Sequence, residues 1–446
     1  MQLAGVKTLV VGMEKSGLAA VELLAAKGAR VRATDLKPLA ELAGVVEALE
    51  RHGVEYERQS PAVFEWGELI VLSPGVPADL APLEEARRRG VKVIGEIELA
   101  APFLEGPVIG ITGSNGKTTV TAMTGHLLRE CGLAVQVGGN IGTPVAGMVA
   151  SSRANQWNVL ELSSFQLETT ETFRAHIGVA LNVTPDHLDR HHTFENYAAA
   201  KGRLFATQRA GDFAVLNAED PVCVRYAAET PGRAVWFSSA RKVEPGAWLE
   251  GGTVWYGGEP LTPAAEIPIR GKHNVENTMA AAAAALLAGA EREAVARAIR
   301  TFRAVEHRLE FVRTVSGIDF YNDSKATNVD ATLKALDAFA GGLWVILGGK
   351  DKGSDYRVLR APLKAKAKAA LLIGAAAEKI AGHLGDAVPL VRAGTLEEAV
   401  RYAYAAAAPG DTVLLAPACA SFDQFRSYEH RGRVFKELAG ALAPKG

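Results

Sequence analysis

Short apolar runs alternate with longer amphipathic stretches along almost the whole chain. In the first hundred residues the β-rich runs are KTLVV, RVRAT, LIVLS and VKVI, and helices are predicted near 17–27, 39–52 and 79–90. Strands that alternate with helices are typical of a mostly parallel sheet, because parallel neighbours need a long crossover connection. The pattern therefore predicts an α/β fold.

The alternation continues in two further series. After GEIELAAPFLEGP, the run VIGITG begins a new strand, followed by NVLEL, IGVALNV and FAVLN. The stretch AWLEGGTVWYGGEPL then alternates around Gly-Gly turns, which predicts a small antiparallel part. From about residue 304 the runs IDFYN, LWVILGG, AALLIG, VPLVRA and TVLLAP form a third series. We predict three domains, with Rossmann-like folds at 1–95 and 304–446 flanking a central domain at 96–303.

Composition and charge describe an ordinary folded protein. The 446 residues exceed what one hydrophobic core supports, and 48% hydrophobic with 22% charged residues argues against disorder. A formal net charge of -1 offers no basic surface, so neither nucleic acid nor a membrane is expected as a partner. The longest apolar run, at 279–290, is too short to cross a bilayer, and no signal peptide is recognised, which predicts a cytoplasmic protein. The sparse cysteines argue against a disulfide framework: Cys131, Cys223 and Cys419.

The stretch ITGSNGKTTV, at residues 111–120, joins a predicted strand to a predicted helix. Backbone N–H groups at a helix N-terminus, together with a lysine, are what phosphate oxygens require. Ile111 stands where the usual G-x-x-x-x-G-K-[ST] pattern has its first glycine, so the loop is shorter than that pattern. A glycine turn that only caps a helix is the alternative, but it does not require a lysine and two threonines. We predict a P-loop-type ATPase domain, with Lys117 at the phosphates and Thr118 at Mg²⁺.

Two other stretches of the central domain carry candidate chemistry. Glu161 ends the strand NVLEL, where a carboxylate can meet the Mg²⁺ of a nucleotide. Lys201 falls on the apolar stripe of a helix predicted at 194–209, so it either extends to solvent or faces inward for a functional reason. A zinc site in the same stretch is disfavoured, because no cysteine or HExxH helix accompanies its candidate ligands His187, Asp189, His191 and His192.

The first domain carries VVGMEKSG after its first strand and Asp35 after its second, a partial match to a dinucleotide-binding fingerprint. Glu14 stands where the second glycine would let the backbone approach a pyrophosphate. A nicotinamide-dependent dehydrogenase is therefore a weak alternative, and another phosphate-bearing ligand stays open. A second alternative is an ATPase acting as a switch or motor, in which water accepts the phosphate.

Taken together, GSNGKTT, ELSSFQLE, NVTPDHLDRH with AAAKGRLF, GKHNVEN and EHRLE resemble the shared motifs of the Mur ligases, which build the peptide stem of the bacterial cell wall. YNDSKATN, LGGKDK and ACASFDQF resemble the branch of that family that adds D-glutamate. The resemblance covers essentially the whole chain. It implies that ATP phosphorylates the alanyl carboxylate of UDP-N-acetylmuramoyl-L-alanine (UDP-MurNAc-L-Ala), and that the amine of D-glutamate attacks the acyl phosphate. It also implies a monomer.

The resemblance further implies the site residues. The catalytic residues would be Lys117, Glu161, His187 and Lys201. ATP would contact Gly113, Ser114, Asn115, Gly116, Lys117, Thr118, Thr119, Asn274, Asn277, Arg308 and Asp323. The UDP-substrate would contact Lys15, Ser16, Asp35, Lys37, Gly75, Asn140, Gln166 and His187. D-Glutamate would contact Lys325, Thr327, Lys352, Ser421 and Tyr428, where the family usually has phenylalanine at the last position. Two Mg²⁺ ions would be held by Thr118, Glu161, His187 and Lys201, the last as a carbamate.

Overall fold

The computed structural model describes residues 1–42 and 44–445 and contains three β-sheets. Two compact units make up the chain. The first comprises Met1–Glu266 and Glu276–Arg300, and the second comprises Ile267–Val275 and Thr301–Gly446. The first two sheets belong to the first unit and the third sheet to the second unit. The domain boundaries near residues 96 and 304 stay predictions.

The first sheet has five parallel strands in the order β3-β2-β1-β4-β5. Its strands are β1 (Lys7–Val11), β2 (Arg30–Asp35), β3 (Glu55–Arg58), β4 (Leu69–Leu72) and β5 (Lys92–Gly95), and its helices are α1 (Lys15–Ala26), α2 (Val45–Arg51) and α3 (Ala81–Arg88). The strand order reverses beside β1, so the loops after β1 and β4 border the crevice where sheets of this kind bind ligands. The short helix α4 (Glu96–Ala100) follows β5 directly.

The central sheet has nine strands in the order β14-β13-β12-β11-β10-β9-β6-β8-β7. The strands from β7 to β12 run parallel, and β12, β13 and β14 pair antiparallel, which confirms the predicted antiparallel part. The strands are β6 (Val108–Thr112), β7 (Val135–Gly139), β8 (Trp157–Glu161), β9 (Ile177–Ala180), β10 (Phe213–Asn217), β11 (Arg233–Ser238), β12 (Gly246–Glu250), β13 (Thr253–Tyr256) and β14 (Glu259–Pro263). The helices are α5 (Lys117–Glu130), α6 (Val145–Met148), α7 (Ser164–Leu167), α8 (Leu188–His191), α9 (Phe194–Ala206), α10 (Pro221–Glu229), α11 (Lys272–Leu287) and α12 (Arg292–Thr301).

The third sheet has the order β15-β16-β20-β17-β18-β19, parallel except for the antiparallel pair β15–β16. Its strands are β15 (Glu310–Val315), β16 (Ile318–Asn322), β17 (Leu343–Gly348), β18 (Ala367–Ile373), β19 (Leu390–Gly394) and β20 (Thr412–Leu415). Its helices are α13 (Val329–Asp337), α14 (Arg360–Lys366), α15 (Ala377–Leu384), α16 (Leu396–Ala406) and α17 (Tyr428–Ala441). The predicted α/β class is confirmed.

The hydrophobic pattern does not predict the four strands β3, β7, β11 and β15. Three of them, β3, β7 and β15, lie at sheet edges, where a strand has one neighbour and needs fewer apolar side chains. The sequence EYER of β3, for example, has no fully buried residue. The helix predicted at 39–52 begins only at Val45, because Leu39–Glu41 form a separate 3₁₀ turn.

One apolar core runs through both sheets of the first unit. Buried side chains of α1 such as Leu24, of α4 such as Ile97, and of β8 such as Leu160 belong to the same cluster. The first sheet and the central sheet therefore share packed side chains through α1, α4 and α6. No helix among residues 1–42 and 44–445 combines the length and apolar content that a membrane crossing requires.

Candidate active site

The glycine-rich loop between β6 and α5 has the backbone shape that a phosphate site needs. Gly113 and Gly116 have φ angles of 146° and 90°, conformations that side chains disfavour. A Cβ atom on Gly116 would lie 2.5 Å from Oδ1 of Asn277, so this glycine also permits a close approach of α11. α5 begins at Lys117 directly after Gly116, and Thr118 and Thr119 are buried in its first turn. The N–H groups of a helix's first turn have no partner within the helix itself, and those of α5 lie directly after this loop.

Hydrogen bonds to the segment that follows β9 fix the loop in place. The N–H of Ser114 donates to the carbonyl of Asn182 at 2.8 Å, and the N–H of Asn115 donates to the Asn182 side chain at 2.9 Å. The Ser114 hydroxyl donates to the carbonyl of Thr184 at 2.9 Å and lies 3.0 Å from the Tyr197 hydroxyl. The loop is therefore preorganised by the segment after β9 and by α9.

Two lysines converge on one carbonyl of the loop. The ammonium of Lys117 donates to the carbonyl oxygens of Gly113 at 2.8 Å and Ser114 at 3.0 Å. Lys201 donates to the same Gly113 oxygen at 2.8 Å, and its ammonium lies 4.6 Å from the centre of the Tyr197 ring. Lys201 is 1% exposed, so it faces inward and does not extend to solvent. Burial, and then the charge of Lys117, hold the pKa of Lys201 well below its usual value.

Glu161 lies at the carboxyl end of β8 and is 2% exposed. Its Oε1 accepts a hydrogen bond from the side-chain amide of Asn140 at 2.8 Å, whereas its Oε2 is buried without any hydrogen-bond partner. A buried carboxylate oxygen without a donor is unfavourable unless a cation completes its surroundings. The residues here therefore fit a metal ion beside the phosphate loop.

The three histidines that follow β9 have different surroundings. His187 adopts a left-handed backbone conformation (φ 53°) and contacts Phe165 with ring centres 4.8 Å apart. His191 is buried, its Nε2 lies 2.9 Å from the Ser164 hydroxyl, and burial lowers its pKa to about 4. His192 lies 3.2 Å from the Asp79 carboxylate.

The zinc alternative for this stretch gains no support. Within the part of the chain that the structure describes, three metal-type side chains converge only at Glu306, His307 and Glu310. There both carboxylates bind the ammonium of Lys436, at 2.9 and 2.8 Å.

The expected UDP-substrate residues of the first domain lie at the crevice of the first sheet. Asp35 accepts hydrogen bonds from the N–H groups of Met13 at 2.8 Å and Lys37 at 3.0 Å, so it joins the loops after β1 and β2. The side chains of Lys15 and Lys37 are exposed, and Ser16 is half-buried in the first turn of α1. Gly75 lies in an exposed turn that the bond from the Val76 N–H to the Ser73 carbonyl closes at 2.9 Å. Gln166 differs from these, because its side-chain oxygen accepts hydrogen bonds from the N–H and hydroxyl of Ser163 in a capping box at the start of α7.

Several residues expected to contact ATP or D-glutamate lie in the second unit. Burial raises the pKa of Asp323 to about 7, although Arg308 and the N–H of Leu309 oppose this. The Lys325 ammonium lies 3.6 Å from the centre of the Tyr428 ring. Two further expected residues make local hydrogen bonds. The Thr327 N–H donates to the carbonyl of Lys325, and the Asn274 side chain donates to the carbonyl of Arg270.

The loops that carry Lys352 and Ser421 lie side by side. Lys350 and Ala420 exchange two backbone hydrogen bonds, of 2.8 and 3.2 Å. Asp351 accepts hydrogen bonds from the Tyr356 hydroxyl at 2.6 Å and from Lys379 at 2.6 Å, and the Tyr356 hydroxyl also lies 3.0 Å from the Cys419 thiol. The Tyr356 hydroxyl therefore links Asp351 of one loop with Cys419 of the other.

Sequence reasoning missed Arg431, which is completely buried in α17. Its guanidinium donates to the Ser324 hydroxyl at 3.0 Å and carbonyl at 2.8 Å, and to the Cys419 carbonyl at 3.2 Å. It therefore ties the segment before Lys325 to the segment before Ser421. The sequence does contain a signal for Arg431. It lies four residues before the buried Phe435, so both share one face of the helix, just as Lys201 lies on an apolar stripe.

Comparison with known families identifies the chain. Residues 6–95 match the Mur ligase MurD-like N-terminal domain, residues 111–285 the Mur ligase middle domain, and residues 307–419 the Mur ligase glutamate ligase domain. The chain belongs to the Mur ligase family.

Relatives of this Mur ligase span its full length. It is 69% identical over 445 residues to the UDP-N-acetylmuramoylalanine–D-glutamate ligase of Solibacter usitatus, with 100% of both chains covered. It is 53% identical to the ligase of the same name in Acidobacterium capsulatum, covering 100% of this chain and 98% of the relative. In fold it is similar to a pseudomurein peptide ligase type C from Methanothermus fervidus, with a TM-score of 0.63, 18% identity, and 98% and 100% of the two chains covered.

Proposed function

We propose that this Mur ligase joins D-glutamate to the alanyl carboxylate of UDP-MurNAc-L-Ala and converts ATP to ADP and phosphate. Full-length relatives at 69% and 53% identity carry the name of that activity. The structural observation that carries the proposal is the convergence of Lys117, Lys201 and the unpartnered oxygen of Glu161 at one end of the central sheet. Such a site suits phosphoryl transfer, in which positioning and charge neutralisation do most of the work.

The reaction needs two steps because a free carboxylate is a poor electrophile. In the first step an oxygen of the alanyl carboxylate attacks the γ-phosphorus of ATP, and the bond to the ADP oxygen breaks. In the second step the D-glutamate amine attacks the carbonyl carbon of the acyl phosphate and loses a proton. The tetrahedral intermediate then expels phosphate and leaves an amide.

The chain's own residues bind and orient the reactants. Lys117 and the N–H groups at the start of α5 hold the phosphates of ATP, with further contacts from Asn274, Asn277, Arg308 and Asp323. The two carboxylates of D-glutamate call for cations and hydroxyls, which the second unit offers at Lys325, Thr327, Lys352, Ser421 and Tyr428. The UDP-substrate is held by Lys15, Ser16, Asp35, Lys37, Gly75, Asn140, Gln166 and His187.

The buried oxygen of Glu161 that lacks a donor fits a cation. Two Mg²⁺ ions would be held by Thr118, Glu161, His187 and, as a carbamate, Lys201. When bound, Mg²⁺ neutralises the charge that develops on the transferring phosphoryl group. Lys201 would take part as a carbamate, formed when its neutral amine adds CO₂ and releases a proton. Its burial and low pKa favour the neutral amine that this addition requires.

Oxygen transfer tests the acyl-phosphate step. UDP-MurNAc-L-Ala labelled with ¹⁸O in its carboxylate should deliver one ¹⁸O atom to the released phosphate, detected by mass spectrometry. Phosphate without label would contradict the mechanism, because water would then be the acceptor. Lys117→Met serves as the negative control, since it removes the ammonium at the phosphates and should abolish release.

The carbamate has a direct spectroscopic test. With ¹³C-labelled bicarbonate, the wild-type protein should show a carbamate ¹³C resonance that is missing from Lys201→Met. Its appearance at equal intensity in both proteins would contradict the assignment. We also propose that the protein acts as a cytoplasmic monomer, which sedimentation and cell fractionation would check.

A further inference from the structure

Arg190 joins two segments of the first unit that the proposed function assigns to the same substrate, UDP-MurNAc-L-Ala. Its guanidinium donates to the carbonyl of Val76 at 2.8 Å, within the turn that contains Gly75. The same nitrogen pairs with the carboxylate of Glu168, next to the end of α7. The Arg190 side chain is only 13% exposed, so these contacts are held out of bulk water.

A third contact connects Arg190 with the expected metal ligand. Its guanidinium carbon lies 5.1 Å from the centre of the Phe165 ring. That ring meets His187 edge-on, with centres 4.8 Å apart, and stacks on His191 at 5.5 Å. One side chain therefore touches the Gly75 turn on one side and the aromatic support of His187 on the other.

Arginine suits this place better than a simple cation would. One of its nitrogens donates to both a carbonyl and a carboxylate while its flat face covers the Phe165 ring, a planar contact that the compact ammonium of lysine does not make. A second link lies nearby, because His192 is 3.2 Å from Asp79 in the same loop of the first domain. The segment from His187 to His192 thus holds the loop after β4 at two points.

We propose that Arg190 is a positioning residue that sets the UDP-substrate turn at Gly75 relative to His187. This inference rests on the proposed function, in which both segments hold UDP-MurNAc-L-Ala. Without Arg190 the turn and His187 lose their common support, so the two ends of that substrate are no longer bound in one geometry. The ATP loop at 113–118 is held instead by Asn182, Thr184 and Tyr197, so we expect the affinity for ATP to be maintained.

The test compares Arg190→Gln and Arg190→Lys with Arg203→Gln. Arg190 and Arg203 line one surface groove together with Glu168. Arg203 is the matched control, because it donates to the carbonyl of Thr170 and not to the turn at Gly75. For Arg190→Gln we expect the KM for UDP-MurNAc-L-Ala to rise at least about tenfold while the KM for ATP changes less than about twofold. Arg190→Lys should lie nearer to Arg190→Gln than to wild type, since the charge alone does not restore the flat contact with the Phe165 ring.

Equal changes in the KM values for all three substrates, or an unchanged KM for UDP-MurNAc-L-Ala, would overturn the proposal, as would the same effect in Arg203→Gln. Calorimetric titration of each protein with UDP-MurNAc-L-Ala gives a second measurement that does not depend on turnover. If the wild type binds this substrate but shows no D-glutamate-dependent reaction, the proposed function fails. The positioning role of Arg190 is then still tested by the affinities of its variants for UDP-MurNAc-L-Ala.

Discussion

Two buried carboxylates in α4, Glu96 and Glu98, provide a sharp test of how the first unit is held together. They lie two residues apart between the first and central sheets, and both are 1% exposed. The Oε1 of Glu96 accepts one hydrogen bond, from the N–H of Ala146, and its Oε2 has no partner. Glu98 instead accepts from four donors: the Thr172 hydroxyl and the N–H groups of Glu171, Thr172 and Phe173.

These surroundings move the two pKa values in opposite directions. Burial raises the pKa of Glu96 to about 7, and its single hydrogen bond offsets only part of this. Burial also acts to raise the pKa of Glu98, but its four hydrogen bonds outweigh burial and lower it. Between pH 4.5 and about 7 the folded protein keeps the Glu96 proton that the unfolded chain has lost, so stability from Glu96 falls as the pH rises through this window. At about 1.4 kcal/mol for each pH unit, the loss by pH 8 is about 3 kcal/mol.

The variant Glu96→Gln removes this loss without changing the side-chain size. We expect its free energy of unfolding to exceed that of wild type by about 2–3 kcal/mol at pH 8, with little difference at pH 4.5. The matched variant Glu98→Gln should lower the free energy of unfolding by about 3–5 kcal/mol at pH 8, because four donors lose a charged acceptor. The Glu98 contribution is present above pH 4.5 and is lost as the pH falls through the lowered folded pKa.

Urea unfolding of the ligand-free proteins, followed by circular dichroism at several pH values, measures both effects. Opposite signs for the two variants at pH 8 would support the reasoning. A gain for Glu96→Gln that is equal at pH 4.5 and pH 8 would refute it, because the gain would then not come from the carboxylate charge. Destabilisation by both variants would refute it as well.

Three further changes have defined outcomes. Gly116→Ala should reduce kcat by about 10²-fold or more, because a Cβ would lie 2.5 Å from Asn277 at a φ of 90°; steady-state kinetics that match wild type would contradict this. Arg174→Gln should cost about 3 kcal/mol in urea unfolding, because it leaves the buried Asp212 without its bidentate partner, while the KM values should not change. Tyr356→Phe should raise the KM for D-glutamate about tenfold through loss of the hydroxyl's bonds beneath the amino-acid loops, and a selective rise in the KM for ATP would argue against that role.

The sequence predicted much of this structure because its strongest signals are local. The hydrophobic pattern predicted the buried strands, and the loop around Lys117 follows from residue types that a helix N-terminus and phosphate demand together. Lys201 is conspicuous in the sequence because a charged side chain is unusual among the apolar positions of a helix. The pattern alone does not decide whether this side chain faces solvent or the protein interior. Its inward orientation follows from tertiary packing against Gly113 and Tyr197.

Other features could not be predicted because they depend on contacts distant in sequence. The Oε2 of Glu161 has no hydrogen-bond partner because no donor from another segment reaches it. A local sequence pattern does not reveal this. Arg190 joins residue 76 to residue 168, and Glu98 binds the segment 171–173, so each role appears only when separate loops meet. The hydrophobic pattern does not predict the polar edge strand β3 for a related reason. This strand forms through backbone pairing with β2 and has no fully buried residue.

Phosphate release with UDP-MurNAc-L-Ala, ATP and Mg²⁺ tests the central claim most directly. D-Glutamate, L-glutamate, L-lysine and L-alanine are each offered separately. The account predicts release with D-glutamate alone, together with an amide product whose mass equals the sum of the two substrates less one water. Release with a different amino acid would move the enzyme to another ligation, and release that is equal without any amino acid would contradict the account, because water would then accept the phosphate.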